Sequence, residues 1–151
     1  MPQSHSLLTS CALCPRQCHA ARLSGARGTC GADDRLMVAR AALHFWEEPP
    51  ISGERGSGAV FFSGCPLHCI YCQNREIARS EVGKAITVER LADIFRELQE
   101  KGALNINLVT GTQYAPQIVE ALDIARADEK RPLTIPTVWN TSGYENGTCL
   151  G

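Results

Sequence analysis

Three cysteines carry the densest chemistry in this sequence. Gly64-Cys65-Pro66-Leu67-His68-Cys69-Ile70-Tyr71-Cys72-Gln73-Asn74 spaces them C-x3-C-x2-C, directly after the apolar run Ala59-Val60-Phe61-Phe62. A loop this short can aim three thiolates at one inorganic cluster and leave its fourth iron without a protein ligand. An iron so placed is free to coordinate a substrate, as an open metal site does, whereas a closed four-cysteine site suits electron transfer or structure. His68 lies inside the loop and reads as a solvent-facing spacer.

A second group, Cys11, Cys14, Cys18 and Cys30, has the spacing C-x2-C-x3-C-x11-C, enough ligands to close a tetrahedral site. Zinc and a second iron–sulfur cluster both accept four thiolates at such spacing, so ligand count leaves the choice open. His19 is near enough to replace one cysteine, though a surface histidine is the simpler reading. Arg16, Arg22 and Arg27 lie among these cysteines and either offset thiolate charge or form a solvated face. The eighth cysteine, Cys149, stands apart and reads as a free thiol.

The cysteines must be positioned by the elements around them. The first strand of the sheet is expected at 59–62, where four apolar residues lie between glycines. Thr87 reads as a helix N-cap; Val88, Leu91, Phe95 and Leu98 recur at helical spacing, and Gly102 places the helix end near Lys101. Ile106 to Val109 reads as a second strand. A second helix begins near Pro116 with Ile118, Leu122 and Ala125 on its buried stripe, and Leu133 to Trp139 reads as a third strand, weakened at Pro136. Leu36 to Leu43 is either a strand or a short helix, and the stretch from Glu47 to Gly58 reads as loop. Alternating strands and helices predict an α/β fold with parallel pairing and function at the C-terminal ends of the strands.

Fifteen basic residues against sixteen acidic ones give a net charge of -1 over 151 residues that are 44% hydrophobic. That balance offers no broad electrostatic footprint for nucleic acid or an anionic membrane. No apolar run reaches bilayer length, and Met1 to Ser10 has neither a basic nor an apolar signal region, so the expected location is the cytoplasm. In a reducing compartment eight cysteines point to metal ligation rather than disulfides.

The cysteine spacing, with an aromatic residue just before the third cysteine, resembles the signature of the radical S-adenosylmethionine superfamily. The wider run Trp46-Glu47-Glu48-Pro49-Pro50-Ile51-Ser52-Gly53, with Gly56-Ser57-Gly58, Phe61-Phe62-Ser63-Gly64-Cys65 and Cys72-Gln73-Asn74, is similar to pyruvate formate-lyase-activating enzyme-like proteins over about residues 11 to 144. The resemblance implies a [4Fe–4S] cluster on Cys65, Cys69 and Cys72 that engages S-adenosylmethionine and cleaves it reductively to a 5′-deoxyadenosyl radical. It further implies Tyr71 near the adenine and Thr110-Gly111-Thr112 in place of the glycine-rich segment that meets the methionyl amino group, departing from the commoner Gly-Gly-Glu. Asn140-Thr141-Ser142-Gly143, after the third strand, resembles a polar turn that in the family faces the same site. The implied partners are a glycyl-radical protein as substrate and a flavodoxin or ferredoxin as reductant. The alternative is a non-catalytic iron–sulfur or zinc protein built on the same motif, serving electron transfer or regulation.

The organisation expected is a cysteine-rich metal-binding appendage over 1–35, a connecting segment over 36–58, the N-terminal half of a radical S-adenosylmethionine domain over 59–144, and a tail over 145–151 outside the family pattern. About three strand–helix units fall short of the family's partial barrel. The sequence therefore predicts a truncated member with its third strand left as an unpaired edge.

Overall fold

The computed structural model describes residues 3–143, 145 and 146; Cys149, the boundary at Tyr144 and most of the expected tail lie outside the described residues. In chain order the elements are α1 (Gln3–Thr9), a 3₁₀ turn (Arg22–Ser24), β1 (Leu36–His44), α2 (Pro49–Ser52), β2 (Ser57–Phe62), α3 (Arg75–Ala78), β3 (Lys84–Ile86), α4 (Val88–Glu100), β4 (Ile106–Val109), a second 3₁₀ turn (Thr112–Tyr114), α5 (Ala115–Ala127) and β5 (Thr137–Asn140). They build one five-stranded sheet in the order β3-β1-β2-β4-β5 that does not close into a barrel. The fold is mixed α/β, consistent with a partial radical S-adenosylmethionine architecture.

Two strand–helix units supply the parallel part. β2 pairs in parallel with β4, Val60 opposite Leu108, and β4 pairs in parallel with β5, Leu108 opposite Trp139. Val60, Phe62, Ile106 and Leu108 point to one side and join Leu91, Phe95, Leu98, Ile118 and Leu122 of α4 and α5 in the main core. Alternation along the strands turns Ala59, Phe61, Asn107 and Val109 to the opposite face. Near the start of β2 that face is covered by the segment before it: Asn107 Nδ2 donates to Glu47 Oε1, and Asn105 Nδ2 donates to the carbonyl of Ile51 at 2.7 Å. Gly58 lies within β2 rather than bounding it. A Cβ there would come within 2.9 Å of the Asn105 carbonyl, so only glycine lets the strands approach.

α4 follows its sequence signals. The Thr87 hydroxyl accepts from the Arg90 amide at 3.2 Å, Leu91, Phe95 and Leu98 are buried, and Gly102 takes φ +92° after the Lys101 cap. The third strand differs from the expected Leu133 to Trp139, for β5 covers only Thr137–Asn140. The Leu133 amide donates to the Ala125 carbonyl, and the Thr134 and Ile135 amides donate to Gln99 Oε1 of α4. Pro136 has no amide to give, so the ladder starts one residue later.

The pairing is also not parallel throughout. β1, left open between strand and helix, is a nine-residue strand antiparallel to β2, with a bulge between Val38 and Arg40, and β3 adds antiparallel to its other side. Residues 36–44, expected in a connecting segment, thus form the longest strand of the sheet. β3 is three residues long and begins with a lysine, too short to show periodicity.

Phe95 is fully buried between α4, α5 and the sheet. Phe95→Ala is expected to lower unfolding free energy by about 3–5 kcal/mol, and Thr87→Ala by about 1 kcal/mol through the lost cap. Urea unfolding followed by circular dichroism measures both; equal effects would contradict this division between core and cap.

Candidate functional site

The C-terminal ends of β2, β4 and β5 lead into Ser63 to Cys72, Thr110 to Thr112 and Asn140 to Ser142, so the topology gathers the sequence-predicted residues along one rim of the sheet. This is where ligands bind in open parallel sheets.

The loop after β2 leaves the strand through Gly64 at φ +87°, whose amide donates to the Ile77 carbonyl at 2.8 Å. A Cβ on Gly64 would stand 2.6 Å from the carbonyl oxygen of Cys30. That same carbonyl accepts from the Cys65 amide at 3.2 Å. Beyond Cys65 the chain turns at His68, φ +53°, and again where the Cys72 amide donates to the Cys69 carbonyl. Cys69 is exposed, Cys65 and Cys72 are half-buried, and the loop tip puts Ile70 and Tyr71 into solvent at 96% and 86% exposure. Cys69 and Cys72 border a cavity of about 170 Å³ with His68, Arg75 and Arg79; Cys65 does not border it. Arg75 opens α3, which directly follows the loop, Arg79 caps its end, and both put positive charge beside the two thiols.

At the end of β4, Gly111 is packed so closely that a Cβ would lie 2.7 Å from Ile118 and 3.1 Å from Trp139. Thr112 is buried and donates its hydroxyl to Glu145 Oε1 at 2.6 Å, so its side chain is engaged away from the cavity beside Cys69. Thr110 is half-buried, and Asn140 is half-buried in register with Val109. Tyr71 stands free of the sheet at the loop tip.

Gln113 went unnoticed in the sequence, where a lone glutamine carries no signal. It is buried, and its Nε2 donates to the carbonyls of Ser63 at 3.0 Å, Gly64 at 2.7 Å and Thr110 at 3.1 Å. Three carbonyls around one atom require the amide nitrogen there. One side chain therefore ties the start of the cysteine loop to the end of β4.

The four N-terminal cysteines come together around a second, smaller cavity that Arg22, Gln113 and Thr112 also border. Cys11 and Cys30 are buried, Cys14 is half-buried and Cys18 is exposed. Burial pushes the Cys18 thiol up, but hydrogen bonds from the backbone of Ala20, Thr29 and its own residue, and from Cys11, carry it below the ordinary thiol value. Burial holds the Cys30 thiol above that value despite the Arg22 charge. As placed, no three His, Cys, Asp or Glu side chains among the described residues converge on a single ion. His19 is exposed, its Nδ1 hydrogen-bonded to Ser10 Oγ. The three arginines divide: Arg16 Nε donates to the Pro66 carbonyl at 3.0 Å, Arg27 is largely exposed beside Asp33, and Arg22 is fully buried.

Gln113→Leu removes three hydrogen bonds and leaves buried carbonyls behind. It is expected to cost about 1–3 kcal/mol for each acceptor left unsatisfied, before relaxation. Gly64→Ala is expected to destabilise as well, since its Cβ meets backbone at a positive φ. Thermal melts check both, and melting temperatures within error of the parent would refute the clamp.

The radical SAM superfamily profile matches residues 59–147, from β2 through the end of the described chain. An uncharacterized protein of Methanocaldococcus jannaschii is 26% identical over 146 residues, 92% of this chain and 40% of that protein. The chain thus spans about two-fifths of the length of the curated relative it matches. No solved structure matches it. No helix among the described residues is long and apolar enough to cross a membrane. With the profile covering β2, the cysteine loop, β4, α5 and β5, and the sheet arranged as above, the chain belongs to the radical SAM superfamily.

Proposed function

We propose that Cys65, Cys69 and Cys72 hold a [4Fe–4S] cluster with one open iron, and that the chain acts on S-adenosylmethionine as glycyl-radical-activating enzymes do. The observation that carries this reading is the three-cysteine loop at the C-terminal end of β2 within the family match. The donor set fits the group: three thiols within eight residues, on a loop with accessible cysteines, beside two arginines that offset thiolate charge. Bound and reduced, such a cluster with S-adenosylmethionine supplies one-electron cleavage to a carbon radical that abstracts hydrogen.

The chain's own residues do the positioning. Gln113 fixes the root of the loop, Arg75 and Arg79 favour an anionic occupant, and Thr110, Gly111 and Asn140 offer backbone and polar groups along the rim for the methionyl end. Thr112, engaged with Glu145, would contribute through its backbone, and Tyr71 would fold toward the adenine from the loop tip. The substrate in this reading is a glycine Cα–H of a partner protein, with a flavodoxin or ferredoxin as electron donor. The domain scheme that fits is a metal-binding appendage over 1–35 ahead of the catalytic half.

Anaerobic reconstitution with iron and sulfide, followed by reduction, is expected to give a cluster whose electron paramagnetic resonance spectrum shifts on adding S-adenosylmethionine, with 5′-deoxyadenosine formed. Cys69→Ala is expected to abolish both. A cluster with no shift and no product would instead support the non-catalytic iron–sulfur reading.

A further inference from the structure

Arg22 is 0% exposed, yet no carboxylate among the described residues pairs with it. Its Nε and Nη2 donate to the Asp33 carbonyl at 2.9 and 2.6 Å, Nη1 donates to the Gln113 carbonyl at 2.6 Å, and the guanidinium lies 5.7 Å from the centre of the Tyr114 ring. The Asp33 carboxylate is turned away to Arg35 and Arg27. Carbonyls satisfy the guanidinium's hydrogen bonds but not its charge, and an uncompensated buried charge is costly. The remaining contact is Cys11 Sγ, 3.8 Å from Nη1, on the cavity that Cys14, Cys18 and Cys30 also border.

We propose that Cys11, Cys14, Cys18 and Cys30 bind one zinc ion as a closed four-thiolate site, with Arg22 as its buried counter-charge, and that this site braces the Cys65 to Cys72 loop. Four thiolates on a divalent ion carry a net charge of minus two, which supplies the anion that Arg22 lacks. The cavity that the four cysteines border encloses about 20 Å³, a water-sized space that a single ion fits. Gly28 keeps the place open, since a Cβ there would sit 3.3 Å from Cys18 Sγ and 3.5 Å from Cys30 Sγ. The exposed Cys18 and half-buried Cys14 close the site by turning their side chains inward as ligation displaces their protons. The brace is direct: the Cys30 carbonyl accepts from the Cys65 amide, and Arg16 Nε donates to the Pro66 carbonyl.

This inference does not rest on the radical reading, and the variant lacking Cys65, Cys69 and Cys72 separates the two. Purified in air without chelator, both the parent chain and the triple variant Cys65→Ala, Cys69→Ala, Cys72→Ala are expected to hold one zinc per chain. X-ray absorption should show four sulfur neighbours at about 2.3 Å. Cys14→Ala should lose the zinc, and Arg22→Gln should weaken it at least tenfold in chelator competition while Arg27→Gln leaves it unchanged. If Cys14→Ala does not fold, stoichiometry and absorption on the triple variant decide alone. A parent chain that takes up no zinc under reducing conditions overturns the site, as do iron and acid-labile sulfide in the triple variant. Amide exchange at Cys65 should accelerate when zinc is stripped; unchanged exchange overturns the brace.

Discussion

The hydrogen bond from the Cys65 amide to the Cys30 carbonyl is the joint on which the arrangement turns. It fastens the last of the N-terminal cysteines to the first of the loop cysteines, and the glycine before it has no room for a side chain because that carbonyl is so close. Around the joint sit Gln113, reaching three carbonyls, and Arg22, reaching the Gln113 carbonyl from the other side. Two groups of thiols, far apart in sequence, are thus held against one buried polar seam. The seam is polar because loop backbone has no ladder of its own and must find partners somewhere.

This seam explains an asymmetry in the loop. Its root is fixed by side chain and backbone, while its tip, Ile70 and Tyr71, has almost no protein cover. A rigid root with an accessible tip lets a loop present ligands in a set direction and still admit a guest, and Arg75 and Arg79 give that approach a sign.

What was legible in the sequence follows from period and punctuation. α4 was readable because Thr87, the stripe Leu91, Phe95, Leu98 and Gly102 all agree on one element. β4 was readable from Ile106, Leu108 and Val109, three apolar residues within a four-residue stretch. β5 was misplaced at its start because Gln99, on a helix 35 residues before Thr134, occupies the amides that a strand would use, a tertiary fact no local pattern carries. β1 was ambiguous since its outer face is half-buried and its alternation is broken by a bulge. Cysteine spacing announced both thiol groups, but not that a backbone hydrogen bond joins Cys65 to Cys30. Arg22 looked like its neighbours Arg16 and Arg27, and only burial sets it apart. Thr112 was read with Thr110, yet the 3₁₀ turn that begins at Thr112 swings it inward.

The two borders of the sheet are unlike. β3 ends one side with three residues and a lysine, a poor template for further pairing, whereas β5 ends the other with four half-buried residues in a parallel register. Growth of the sheet is therefore directional. Any segment that docks alongside β5 in the same sense, whether from more of this polypeptide or from another, would bring its own carboxyl end to the rim where the thiols already stand, widening that rim without disturbing the seam beneath it.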